Sequence, residues 1–198
     1  MDYAKTAMNN QPERFADILS AQLTFGGYAQ MFFGTHTDRL AYDSLPEMNL
    51  SMLDISDAAP SSEHKLERTD AEIGIKAKSH NVNLNSSIFM RVTFALDEGA
   101  SIDNYSFVLK GNGKSESVSA VKSNNGYYVD ILDIPVAYWD TRYTIEVTNN
   151  ETGEKYEVTT SVLAWVNSCI KNSTNANQIN MAKSMVLYNE AANEFFGK

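Results

Sequence analysis

The side chains that could carry chemistry are few: His36, His64 and His80, the lone Cys169, and members of a large carboxylate population. A metal needs two or three nitrogen, sulfur or oxygen ligands at spacings that bring them to one point. None of the three histidines has a second histidine at helical or strand spacing, although His36 sits two residues before Asp38 and His64 follows Glu63. They read as loop histidines without a catalytic part. A nucleophilic thiolate needs a partner base, and Cys169 has none in view, so it reads as a small buried residue. Asp97, Glu98 and Asp103 frame a loop whose oxygens suit Ca²⁺, but the spacing and glycine of a helix–loop–helix calcium site are missing. Gly111-Asn112-Gly113 fits a hairpin turn better than a phosphate loop. No Gly-x-Ser-x-Gly elbow occurs. The expectation is a chain without catalytic residues, bound metal or cofactor.

Aromatic residues are the remaining candidates for binding. Tyr127-Tyr128 and Tyr138-Trp139 place adjacent rings on opposite faces of any strand that holds them. One ring of each pair should then face solvent, where it can stack on a sugar or anchor a protein. Tyr138, Trp139 and Asp140 follow Pro135, where a strand is expected to end. This cluster is the favoured site, with Tyr127 and Tyr128 beside it.

These residues must be positioned by elements of two different periods. From Asn49 to about Ser161 apolar residues alternate, with turn residues every 8–12 positions. Ile88, Met90, Val92, Phe94 and Leu96 face one way, while Phe89, Arg91 and Thr93 face the other. Further strands read at Glu72–Lys78, at Tyr105/Phe107/Leu109, at Val118–Val121 and at Tyr127/Val129/Ile131. Two more lie at Tyr143/Ile145/Val147 and Tyr156/Val158. Loops are expected at Ser79–Asn85, Asp97–Asn104 and Asn124–Gly126, and a hairpin tip at Asn149–Gly153. Seven or eight short strands of this kind predict an antiparallel sandwich of immunoglobulin or fibronectin type III architecture.

The flanks have the helical period. Pro12 opens a helix to Phe33, stopped by Gly34; Leu163–Asn172 and Ala176–Phe196 follow the strands, with Asn175 as N-cap and Gly197 as stop. An offset of 163 residues lays Phe25–Gly34 on Tyr188–Gly197, with Ala29, Phe32, Phe33 and Gly34 identical to Ala192, Phe195, Phe196 and Gly197. An offset of 162 lays Tyr3–Asn10 on Trp165–Asn172, placing Cys169 on Ala7. Each flank therefore reads as a copy of one helical hairpin. The fold class is α+β, divided as 1–46 (hairpin), 47–161 (sandwich) and 162–198 (second hairpin). The apolar hairpin faces are expected to pack on the sandwich and could also meet each other, with Phe32, Phe195 and Phe196 as buried anchors.

The ending Phe25-Gly-Gly-Tyr28-Ala29-Gln30-x-Phe32-Phe33-Gly34, followed by Thr35-His-Thr-Asp38-Arg-Leu40-Ala41, resembles modules of large secreted cell-surface proteins of Gram-positive gut Clostridia. There a segment like YGAYAQxYFGYxTDxLA recurs between β-rich domains. The second copy departs from it, with Asn189-Glu190 in place of a Gly-Ala pair. The resemblance covers both hairpins, about a third of the chain, and loosely the sandwich. It implies an extracellular, non-catalytic, array-forming module next to other modules of a longer chain. It also suggests, by analogy with immunoglobulin-binding surface proteins of gut commensals, a host-protein ligand. A carbohydrate-binding module of a glycan-degrading exoprotein is the other binding alternative.

The net charge of −9 argues against a nucleic-acid or anionic-membrane partner, since either would select a basic face. Residues 47–161 account for most of it, at −8. No apolar run reaches the roughly 18 residues of a spanning helix, and residues 1–20 lack the layout of an export signal. The chain thus reads as a piece of a longer secreted protein.

Overall fold

A computed structural model describes residues 12–45, 51, 53–59, 64–84 and 87–198. The proposed helix over Tyr3–Asn10 lies outside them. The chain is α+β: helix α1 (Pro12–Phe33), nine strands, then α2 (Val162–Asn172) and α3 (Ala176–Phe196). It divides into two compact units, one of residues 1–61 with 166–198 and one of residues 62–165.

In the second unit the strands are β1 (Glu67–Arg68), β2 (Ile75–Leu84), β3 (Ile88–Leu96), β4 (Tyr105–Gly111) and β5 (Lys114–Val118). They continue as β6 (Val121–Ser123), β7 (Gly126–Ile131), β8 (Tyr143–Asn149) and β9 (Lys155–Thr160). Two antiparallel sheets result, ordered β1-β9-β8-β4-β5 and β2-β3-β7-β6. Alternation sets which side chains are buried. Met90, Val92 and Phe94 of β3 are buried with Val129 and Ile131 of β7 on one sheet, and Phe107, Ile145, Val147 and Val158 on the other. The sheets meet where the Phe94 and Phe107 rings lie edge to face, 5.6 Å apart.

Residues 79–84 are not the loop that their asparagines suggest. β2 runs on to Leu84, with a register shift between Ala77 and Ser79. Such a bulge restarts the alternation one residue late, which hides the strand from a period count. The amide of Ala77 at the bulge donates to the Tyr156 hydroxyl, 3.2 Å away. The expected strand Val118–Val121 is instead the passage between sheets, with β5 ending at Val118 and β6 starting at Val121. Asn112 and Gly113 both have positive φ and turn the β4–β5 hairpin as the sequence requires.

In the first unit α1 and α3 pack on each other. Each ends at a glycine of positive φ, Gly34 at 66° and Gly197 at 70°. Arg14 donates to the Glu194 carbonyl at 3.3 Å, and Asn177 donates to the Met31 carbonyl at 3.2 Å. Residue 177 is the counterpart of 14, and 194 of 31, under the 163-residue offset. Between these ends Phe25 stacks on Tyr188, its own counterpart, at 5.9 Å. The helices are therefore antiparallel, and the contacts exchange under the offset as contacts do about a two-fold axis.

Phe196 is not a buried anchor: it is 58% exposed, and its counterpart Phe33 52%. Adjacent helical residues point about 100° apart, so one ring of each Phe-Phe pair turns inward. Phe32 and Phe195 are the half-buried members, and Phe195 meets Phe15 edge to face at 6.3 Å.

Candidate functional site

The aromatic candidates fall into three environments. Trp139 is a core residue at 0% exposure, which corrects its place as a solvent-facing ring. Pro135 does not end a strand there; it caps a 3₁₀ turn, Val136–Tyr138, and Trp139 closes that turn. A turn has no two-sided alternation, so adjacency to Tyr138 does not send one ring outward. The Trp139 amide donates to Val136 and its carbonyl accepts from Leu163, fixing the backbone at both sides. Tyr138 and Asp140 beside it are half-buried. Tyr127 pairs with Phe94 in the ladder and therefore shares the core-facing side of β7.

Tyr128 is on the outer face. It pairs with Thr93, and next to it Asp130 pairs with Arg91. The Arg91 guanidinium makes two bonds of 2.7 Å to the Asp130 carboxylate and lies 3.6 Å from the centroid of the Tyr128 ring. Phe89 approaches the same guanidinium at 5.9 Å. A planar cation held this way is pre-organised, because the carboxylate fork and the ring fix it from two directions. The residues join two strands, which is why sequence adjacency singled out Tyr128 and missed Phe89, Arg91 and Asp130. The signal available was the outward set Phe89, Arg91, Thr93 of β3, which carried an aromatic and an arginine at period two.

Asp130 also lines a groove of about 380 Å³ with Leu109, Lys114, Glu116, Leu132 and Tyr143. Lys114, Glu116 and Val118 share the side of β5 that Phe107 and Leu109 of β4 bury elsewhere, since Phe107 pairs with Val118 and Leu109 with Glu116. Charges on the inward side of an edge strand discourage edge-to-edge association. Tyr143 packs its ring over Gly111, where a Cβ would lie 2.4 Å from it. Burial raises the Tyr143 pKa, with Tyr138 and Asp140 adding to the shift.

The titratable groups have structural partners. Burial pushes His80 down to about 4, with Arg68 adding to the effect, so the ring is neutral at pH 7. Its Nδ1 sits 2.6 Å from the Thr160 hydroxyl. Ser161 and His64 form a hydroxyl–imidazole pair that the sequence reading did not find, 3.4 Å apart. Ser161 is 1% exposed, however, and its oxygen accepts the Ala164 amide at 3.0 Å, capping α2. Burial raises the Cys169 thiol to about 11, which removes thiolate at neutral pH. Among the described residues no three His, Cys, Asp or Glu side chains gather to hold a metal ion, and Asp97, Glu98 and Asp103 do not converge. No helix of the described residues is long and apolar enough to cross a membrane.

The motif in the first copy has its own geometry. Gln30 accepts the Ala41 amide at 2.7 Å and donates to the Arg39 carbonyl at 3.2 Å, clamping the segment after Gly34 against α1. Tyr42 then lies on Gly27, where a Cβ would fall 2.1 Å from the ring, and beside Tyr28 at 5.4 Å. Glycine is required there for close approach, not for backbone freedom. Asn189 and Glu190 replace the two glycines in the second copy, and a side chain at either precludes the same seat.

No family model, curated protein or solved structure matches this chain.

Proposed function

We propose that this chain is a non-catalytic module of an extracellular surface protein, in which a unit paired from the two related ends carries an immunoglobulin-like sandwich for spacing, presentation or binding. The observation behind this reading is the exchange of contacts in the α1–α3 pair. Two copies of one helical ending recognise each other across the length of an inserted sandwich, which is what a repeating, self-closing scaffold needs. The Gln30–Gly27–Tyr42 clamp supports it as well, because it gives the surface-protein motif a scaffolding task. The strand orders β2-β3-β7-β6 and β9-β8-β4-β5 correspond to the ABED and GFCC′ orders of immunoglobulin domains, with β1 added antiparallel at the edge of β9.

Of the two binding alternatives, the Phe89–Arg91–Tyr128 face favours a host-protein ligand such as immunoglobulin over a glycan. Tyrosine and arginine are the residues that dominate protein interfaces, whereas a sugar needs an open ring, and Arg91 covers one face of Tyr128. The full chain should be applied to a glycan array and to immobilised immunoglobulins and serum proteins, with Arg91→Ala alongside. Binding to a serum protein that Arg91→Ala abolishes supports the host-protein alternative, and silence in both supports a spacer. Turnover of a glycan, peptide or ester, lost on substituting one carboxylate or histidine, would overturn the non-catalytic reading.

A further inference from the structure

We infer that the helical unit is a self-recognition site whose partner is a second copy of this chain: α3 of one chain seats on α1 of another, and reciprocal exchange closes a dimer. The contacts that join the two helices are Arg14 to the Glu194 carbonyl, Asn177 to the Met31 carbonyl, Phe25 on Tyr188 and Phe15 against Phe195. None of them depends on the helices belonging to the same chain, because the bonded residues are 180 and 146 positions apart in sequence. The pairing surfaces are moreover copies of each other, so the interface has the self-complementary character of isologous association. What selects the closed monomer is the tether, through effective concentration, and a tether yields to a second chain as concentration rises.

The structure also contains the hinge that exchange requires. α2 and α3 are separated by Ser173, Thr174 and Asn175 alone. The turn is held by side chains: Asn175 accepts the amides of Asn177 and Gln178, and the Ser173 hydroxyl donates to the Gln178 side chain at 2.7 Å. With those side chains removed, helix propensity favours one continuous helix across the link, and α3 then points away from its own α1.

The test uses the full chain with Cys169→Ala, Phe25→Cys and Tyr188→Cys, joined by a short bis-maleimide. With the natural link, cross-linking should shift from within chains to between chains as concentration rises about a hundredfold, doubling the mass on a denaturing gel. Adding Ser173→Ala, Thr174→Ala and Asn175→Ala should make the dimer the main species by light scattering at the lowest concentration. A folded hinge variant that stays monomeric would overturn the inference. If that variant is unfolded by circular dichroism, the natural-link series decides, and cross-links confined within the chain at every concentration overturn it. This outcome is independent of the proposed function, which the ligand and turnover assays decide.

Discussion

Helices α1 and α3 carry the same ending in two different settings. Both close on a left-handed glycine, and both set their two phenylalanines edge to face, at 4.9 and 5.1 Å. Ala29, Phe32, Phe33 and Gly34 persist in the second copy, whereas Gly26, Gly27 and Gln30 become Asn189, Glu190 and Asn193. The changed positions are those that hold Ala41 and Tyr42 against α1. On its other faces α3 buries Met181, Ala182, Met185 and Val186, where α1 buries Ser20, Ala21 and Thr24. Lys183 of α3 reaches the Ser56 carbonyl at 2.7 Å, a contact its counterpart Ser20 is too short to make. The comparison separates two kinds of residue: those that stop the helix or meet the other copy stay alike, and those that meet a local segment diverge.

The largest effect should come from Gly27→Ala, since the added Cβ must expel the Tyr42 ring. We expect a loss of about 2–3 kcal/mol in chemical denaturation, against under about 0.5 kcal/mol for Glu190→Ala at the equivalent position. Equal losses would mean that the copies do not differ in what they dock. Next come Phe25→Ala and Tyr188→Ala, each costing about 2 kcal/mol, with a coupling of about 1 kcal/mol in a double-mutant cycle. Additive losses would show that the stacked pair does not join the helices. Gln30→Ala should cost about 1–2 kcal/mol and accelerate amide exchange at Ala41, while Asn193→Ala leaves exchange in α3 nearly unchanged. The smallest effect is expected at the exposed ring of each ending: Phe33→Ser and Phe196→Ser should both stay within about 0.5 kcal/mol. A loss of several kcal/mol at Phe196 would restore it as a core anchor.

Much of the β unit was legible from alternation, because one face of each strand of a packed sheet must be apolar. Met90, Val92 and Phe94 against Phe89, Arg91 and Thr93 is the clearest case. Alternation failed where a bulge or a turn interrupts it, at Ala77–Ser79 and at Val136–Trp139. The candidate site suffered most from this. Adjacent aromatics on one strand were visible, but Arg91 and Asp130 come together across a ladder whose register no local pattern encodes.

By itself, the amino-acid sequence determined the helix stops at Gly34 and Gly197, the Asn175 cap, the Asn112-Gly113 turn and the kinship of the two endings. Each of these depends on a few neighbouring residues and their backbone preferences, which act before any distant segment arrives. Only the tertiary structure decided that the two copies face each other through Phe25 and Tyr188, that Trp139 turns into the core, and that Gly27 is empty to admit Tyr42. Those outcomes depend on which surfaces meet after the chain has closed loops of many residues, and packing at contact distance selects among them.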